Sequence, residues 1–377
     1  MDWNVLLERS SFVLRRCGRY LVADLAAPHR VLSTSVRNGG QVDDVRHLLN
    51  HQSCEATAHV ERHRAITERG LDHYHDAVCA EVGLPPALTA LMGTAANMNY
   101  AAVVTERDRS LEVAAVVTAG VEGNATCAGD PATWRETGAG MEKVPAYAGT
   151  INTMLLINAP VTRAVLSRVV MTMTEGKSAA LQRLSVPSRH STDLATGTGT
   201  DQFCVAAPLE GGTPLTSAST HVKLGELIGV AARNATVEAL RWQNGLEASY
   251  TRGVFHALGR YGVSEAAFFD DMAGFLADAD LELLRKNSKA ALYEPLVGAA
   301  AHAMAVVLDR VRHGALPSSV ARDATVQQAA TLAASLAARP DRWPEFRTRL
   351  HAEAPDDPKR LVLAAIALGW SEKWRSP

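Results

Sequence analysis

The stretch Ala195-Thr196-Gly197-Thr198-Gly199-Thr200-Asp201, with the apolar run Gln202–Ala207 behind it, decides how this chain is read. If it is extended, the period of two puts Thr196, Thr198 and Thr200 on one face and Gly197, Gly199 and Asp201 on the other. Glycine inside a strand costs stability and marks a place where another group comes close to the main chain; a ligand is one such group. After a break at Pro208, Ser219-Thr220-His221-Val222-Lys223-Leu224-Gly225-Glu226-Leu227-Ile228-Gly229 reads as the start of a helix. Ser219 or Thr220 can cap it, and Leu224, Leu227, Ile228 and Ala231 keep the spacing of a buried stripe. His221 and Lys223 then fall in the first turn, an end that disfavours cations and suits a neutral imidazole acting as base or hydrogen-bond partner. The plainer reading makes the threonines a pleated surface and His221 a solvated cap, and spacing alone does not separate the two.

Working outward, the segments on either side supply strands and polar strand ends. Val31–Val36 reads as a strand that stops at Arg37-Asn38-Gly39-Gly40, a turn tolerant of left-handed backbone. Leu91–Val104 reads as a helix or loop leading into a hairpin of Val103-Val104 with Val113–Val117, turned at Glu106-Arg107-Asp108. Beyond Gly120, Asn124 and Asp130 sit where loops at strand ends carry sites, although Asp130-Pro131 also simply opens a turn. Gly149-Thr150-Ile151-Asn152-Thr153 leads another strand through Ile157, and Pro160 opens a helix with Leu166, Val169, Val170 and Met173 on its inner face. Glu175 and Lys177, two apart, point to different faces of that helix. The helix after Val222 continues to about Asn244 with Ala235, Ala239 and Trp242 on the buried side. The fold class expected is α+β, a mixed sheet with strands near 31–36, 101–105, 111–119, 150–157 and 202–207 and helices packed on it.

A histidine-rich segment between these parts raises a metal. His47 and His51 are four apart, as are His59 and His63, and His73 and His75 follow. On a helix such pairs share a face and can chelate zinc or another divalent ion, although no HExxH is present. His51 is the leading member, because Asn50-His51-Gln52-Ser53-Cys54-Glu55 gathers several hydrogen-bonding groups.

The whole chain has 377 residues, 47% of them hydrophobic, and a net charge of −2. That length suggests two domains, and the charge offers no general attraction to nucleic acid or an anionic membrane. The five scattered cysteines lack CxxC spacing, which points to a reducing compartment rather than a disulfide framework. Val144–Thr162 is the longest apolar window, but Pro145, Gly149, Asn152, Asn158 and Pro160 interrupt it too often for a membrane span. The chain is therefore expected to be cytoplasmic. Past Leu246 the segments become alanine- and leucine-rich and are broken at Pro295, Pro317, Pro340 and Pro344, so residues 1–245 read as the α+β domain and 246–377 as an all-α domain of unknown role.

Taken in order, Asn38-Gly39-Gly40, Val117–Gly120 with Asn124 and Ala128-Gly129-Asp130, Gly149–Asn152, Thr174-Glu175 with Lys177, Ala195–Asp201, and His221 with Lys223–Gly229 resemble the adenosylcobinamide amidohydrolase family over roughly residues 31–240. The resemblance implies a corrinoid-salvage hydrolase whose substrate is a cobalt corrinoid. It would cleave the amide joining aminopropanol to the corrin side chain of adenosylcobinamide, giving adenosylcobyric acid. Amide hydrolysis needs a nucleophile, donors for the developing oxyanion and an acid for the leaving amine. At the matched positions Asp201 or Glu175 would be the base and His221 the proton carrier, while Lys177 or Lys223 would hold charge. Asn38, Asn124 and the backbone at Gly39 and Gly40 would supply donors, with Asn152, Thr196, Thr198 and Glu226 as further substrate contacts. Thr150 and Thr200 are rival hydroxyl nucleophiles. A corrinoid calls for a wide, mostly apolar cleft with few polar anchors. Two other readings remain open: a zinc hydrolase of another amide using the His47–His75 cluster, and a corrinoid-binding protein without turnover. Homo-oligomerisation is likewise open.

Overall fold

The computed structural model describes residues 1–53, 59–132, 134–137, 140–143, 149–353 and 357–374. The strands are β1 (Asn4–Glu8), β2 (Phe12–Cys17), β3 (Tyr20–Leu25), β4 (His29–Ser33), β5 (Gly40–Val42), β6 (His47–Gln52), β7 (Thr89–Thr94) and β8 (Ala102–Asp108). They continue as β9 (Leu111–Gly120), β10 (Ala125–Thr126), β11 (Trp134–Thr137), β12 (Gly140–Lys143), β13 (Thr150–Ile157), β14 (Gly197–Thr198) and β15 (Gln202–Pro208). Three long helices accompany them: α1 (His59–Glu81), α2 (Arg163–Arg183) and α3 (Lys223–Asn244). Helices α4 (Ala248–Thr251) and α5 (Val254–Leu258) open the remainder, followed by α6 (Phe268–Met272), α7 (Asp278–Leu292), α8 (Pro295–Arg312), α9 (Ser318–Ala337), α10 (Trp343–Glu353) and α11 (Pro358–Lys373).

The α+β class holds, and the expected mixed sheet is two large sheets, beside the two-stranded pairs β10-β14 and β11-β12. One runs β1-β2-β3-β6-β7, the other β5-β4-β15-β13-β9-β8. They pack face to face through alternate residues, Leu14, Leu21, Leu48 and Met92 from the first against Val116, Met154, Leu156 and Cys204 from the second. The outer face of the first sheet, with Val22, Leu49 and Leu91, takes Tyr74, Val78 and Cys79 of α1. Helix α3 covers β8 and β9 on the outer face of the second sheet and packs along α2. Each sheet contains one parallel pair, β6 with β7 and β13 with β15. Parallel neighbours need a crossover, which α1 and α2 provide.

Several local expectations change. Leu91 and Met92 belong to strand β7, because a run buried on both faces reads equally as helix or strand from periodicity alone. The β8–β9 hairpin turns at Arg109 and Ser110, one pair beyond Asp108↔Leu111, with Arg109 at φ 54, so Glu106–Asp108 is strand. Helix α2 is capped by the Thr162 hydroxyl, which accepts from Val165 N, and Pro160 lies outside it. Helix α3 starts after Val222 with no side-chain cap, so Ser219 and Thr220 do not serve there. Trp242 is exposed, its indole N–H on Glu238, whereas Ala231, Ala235 and Ala239 face inward. Of the apolar window Val144–Thr162, residues 144–148 lie outside the described ones and β13 occupies 150–157.

Contacts divide the chain into two compact units, Met1–His190 with Leu194–Gly245, and Ser191–Asp193 with Leu246–Pro377. The second is helical around Phe268, Phe346 and Trp370. Within it Arg260 grips Asp309 with two N–H groups and donates to Thr192 O at 2.6 Å, while the Tyr261 hydroxyl donates to Asp309 at 2.6 Å. Among the described residues no single helix is long and apolar enough to cross a membrane.

Two measurements test this account. A Cβ at Gly176 would lie 2.7 Å from Gly229 O, where α2 and α3 cross, so Gly176→Ala should destabilise the protein by roughly 2 kcal/mol in urea titrations. At Asp309, burial acts to raise the pKa, but hydrogen bonds from Arg260 and Tyr261 outweigh it and hold the carboxyl below its ordinary range. A folded value below the unfolded one gives stability that is complete above about pH 4 and lost as pH falls toward the folded value. Asp309→Asn, which leaves the Arg260 charge uncompensated, should cost about 3 kcal/mol near neutrality and flatten that acid dependence in the same titrations.

Candidate active site

Asp201 stands immediately before β15, and four groups converge on its carboxylate. Oδ1 accepts from Ile151 N at 3.0 Å and from the Thr198 hydroxyl at 2.5 Å. Oδ2 accepts from Thr198 N at 3.2 Å and from Lys177 Nζ of α2. The Lys177 and Asp201 side chains are only 15% and 19% exposed, which makes their pairing costly to break. The four contacts fill both oxygens, so Asp201 is an anchor for Lys177 rather than a base with a free lone pair.

The threonine–glycine row is not one strand. Gly197-Thr198 is a two-residue strand paired with β10, and Gly199-Thr200 turns the chain into Asp201. The three threonines are therefore dispersed. Thr196 Oγ1 accepts from Ala128 N, Thr198 holds Asp201, and Thr200 Oγ1 donates to Gly149 O at 2.7 Å and lies 2.7 Å from Thr150 Oγ1. What comes close to the glycines is side chain. A Cβ at Gly197 would sit 2.6 Å from Asp201 Oδ2 and 2.8 Å from Lys177 Nζ, and one at Gly199 would sit 3.1 Å from the Asn124 amide. Asn124 is buried and donates to Gly149 O at 3.1 Å, tying the loop after β9 to the start of β13.

Lys177 and Asp201 border a hollow of about 190 Å³. Ile151 and Thr153 of β13 and Met173 and Thr174 of α2 form its walls, and Thr34, Gln202 and Phe203 complete it. Position i, i+2 on a strand and i, i+1, i+4 on a helix bring these side chains to one place. The volume is below the ~300–1,000 Å³ of pockets that enclose drug-sized ligands, so this is not the wide cleft expected for a corrin ring. It admits a short arm.

Other expected residues lie elsewhere. Strand β15 runs away from Asp201 for seven residues, about 20 Å, before the chain reaches His221. Helix α3 then returns, and its last residues Gln243 and Asn244 cap the loop ends at Asn97 N and Val121 N. His221 is an exposed turn residue just before α3 and does not border the hollow. Lys223 and Glu226 are exposed there and pair with each other at 2.8 Å. Gly225 lets α3 press on its own approach, since a Cβ would meet Ser219 O at 2.0 Å. Glu175 is exposed and does not line the hollow. Asn38, at φ 57, donates its amide to Pro86 O and Thr89 O and so fastens the turn; a Cβ at Gly39 would strike Ser35 O, and Gly40 has φ 72. Asp130 holds its loop through Cys127 N and the Ser188 hydroxyl.

Asn152 faces the space between the sheets. It donates to Asn50 Oδ1 and Gly93 O, and Asn50 donates to the Thr118 hydroxyl. Gln202 accepts from Gly93 N in the same layer. Asn50, Thr118 and Gln202 lie within stretches the sequence singles out, but only alternation along correctly assigned strands groups them in one layer.

The helical premise for His47 and His51 fails, because β6 is a strand and residues four apart on it are ~13 Å apart. His47 Nδ1 lies 2.7 Å from Asp24, and buried His51 lies 2.6 Å from the Tyr74 hydroxyl and stacks on Tyr20. The side chains of His59 and His63 lie outside the described residues. His73 sits beside Arg69, and His75 approaches Pro86 O, with burial lowering its pKa. Among the described residues no group of three or more His, Cys, Asp or Glu side chains is placed to hold a metal ion.

The family model described as adenosylcobinamide amidohydrolase matches residues 6–248. The chain belongs to the adenosylcobinamide amidohydrolase family. An uncharacterized protein of Methanocaldococcus jannaschii is 34% identical over 176 residues, 44% of this chain and 68% of that protein. The crystal structure of the PH0078 protein from Pyrococcus horikoshii aligns with a TM-score of 0.31 and 11% identity, over 63% of this chain and 82% of that one. The amidohydrolase match spans both sheets, α1 to α3 and every residue around Asp201, and it ends where the helical unit begins.

Gly197→Ala should push the Asp201–Lys177 pair apart at a cost of roughly 1–3 kcal/mol. Lys177 should then react faster with an amine-directed reagent, read by mass spectrometry of its peptide. Unchanged labelling would contradict the packing described.

Proposed function

We propose that this amidohydrolase-family protein cleaves the aminopropanol amide of adenosylcobinamide, giving adenosylcobyric acid and the free amino alcohol. The observation that carries the reading is the largely buried Lys177–Asp201 pair at the edge of a small hollow, inside the segment that matches the family. Hydrolysis of an amide develops negative charge on the carbonyl oxygen, and a fixed donor in a site shielded from water stabilises it more than solvent does. Lys177 is such a donor. Asp201 uses one of its N–H groups and sets the direction of the ammonium, leaving the others for the substrate oxygen. Attack would come from water at the open side of the hollow. The Thr200 hydroxyl already donates to Gly149 O and would have to give up that bond to act as the nucleophile.

The corrin ring would stay outside the hollow and present its arm to it, as the volume requires. The assay follows loss of adenosylcobinamide and appearance of adenosylcobyric acid and aminopropanol. Lys177→Met and Asp201→Asn should lower kcat/KM by about 10²–10³, the range for loss of an oxyanion donor. His221→Ala and Glu175→Ala should keep wild-type rates. Full activity in Lys177→Met would remove the mechanism, and no product from the wild type would remove the function.

A further inference from the structure

Helix α8 is apolar on two faces, and the core of the second unit uses one of them. Val297, Ala301, Met304 and Leu308 are buried in that core. On the other side Leu296, Ala299, Ala303, Val306 and Arg310 are exposed, Leu296 by 68% and Val306 by 53%. Their steps of three, four, three and four residues are the a and d positions of a heptad repeat, the seam along which one helix packs on another. A helix that is apolar all round is ordinarily covered all round, and in the single chain this seam is open. Its two ends carry opposite charge. Beside Leu296 the Glu294 carboxylate caps the helix, Oε2 accepting from Leu296 N at 2.8 Å and from Val297 N at 2.9 Å, and Oε1 has no donor among the described residues. At the other end, about 21 Å along the axis, the Arg310 guanidinium has no carboxylate partner among the described residues.

We propose that this face of α8 is a dimer contact whose occupant is a second copy of the chain, with the two α8 helices antiparallel about a two-fold axis between Ala299 and Ala303. In such a contact residue i meets j while j meets i. Ala299 lies on Ala303 of the second copy, and these small side chains let the axes come to the near end of the 8–10 Å range for packed helices. Leu296 lies on Val306 of the second copy, and Arg310 reaches Glu294 of the second copy; each contact occurs twice. Charge sets the direction, because a parallel pair would place Arg310 on Arg310 and Glu294 on Glu294. The two central alanines also favour a facing helix over a lipid surface, which takes up large side chains such as Trp, Phe and Leu.

The test uses the full chain. Sedimentation velocity over a concentration series should show a reversible monomer–dimer equilibrium, since one helix from each side makes a small interface. Ala303→Glu places two like charges near the axis and should raise the dissociation constant roughly a hundredfold, and Arg310→Glu, which sets carboxylate against carboxylate, roughly tenfold. Both positions are exposed, so the melting temperature of dilute protein should not change in either variant. Thiol pairing reads the direction. A mixture of Leu296→Cys and Val306→Cys proteins, incubated with oxidised glutathione, should give a mixed disulfide between the two peptides by mass spectrometry, and neither protein alone should join to itself at that position. A monomer at every concentration, or a dimer that Ala303→Glu leaves intact, would overturn the proposal. So would a Val306→Cys protein that joins to itself in preference to the mixture. Monomers that float with phosphatidylcholine vesicles, and cease to do so in Ala303→Glu, would give the seam to a lipid surface and overturn it as well.

Discussion

The Asp201 carboxylate is the constraint on which the first unit is arranged. Its donors come from the start of β13, the end of β14 and the last third of α2, three segments that backbone pairing alone would not hold in register. A largely buried carboxylate left without such donors costs several kcal/mol, so the segments must meet if the protein is to fold at all. Gly197 follows from the same demand, because only a residue without a Cβ leaves room for both charged groups. The Gly176–Gly229 crossing follows from it too, since it brings α2 and α3 together along the sheet that Lys177 overlooks.

The same constraint gathers one set of strand ends. β13 and β15 are parallel and begin together, so Thr150, Ile151, Asp201 and Gln202 share one edge. The same edge receives Gly93 through Gln202 and Asn124 through Gly149. Polar groups spread from position 93 to position 202 thus crowd together, and the far edge is left to turns, caps and exposed charge pairs such as Lys223 with Glu226. The segment that matches the amidohydrolase family contains every part of this crowded edge.

Much of this was legible in the sequence, and the failures share a cause. The ordered motifs pointed to the family, and the strands around 111–119, 150–157 and 202–207 were clear from their buried runs. Lys177 and Asp201 were both named, but their partnership was not, since they lie 24 positions apart on different elements. His221 is singled out by its place before a helix and by the family motif, and neither says whether the residue borders the hollow beside Asp201, which it does not. The His47/His51 pair misled for a related reason: a spacing of four means a shared chelate on a helix and a long separation on a strand. Asn152 is named from the motif, but its meeting with Asn50 and Thr118 is not readable, because it needs two sheets where the sequence suggests one.

Because β13 and β15 are neighbours joined only through α2, the bond from Ile151 N to Asp201 spans 50 positions of chain. Contacts of such separation pay loop-closure entropy before they return any stabilisation, and they form late in folding. During synthesis Lys177 emerges ahead of its counter-ion and stays without it until the polypeptide has grown past Phe203. A partly folded species lacking that crossover consequently has no Lys177–Asp201 pair, and the hollow beside it stays unformed until the central sheet is complete.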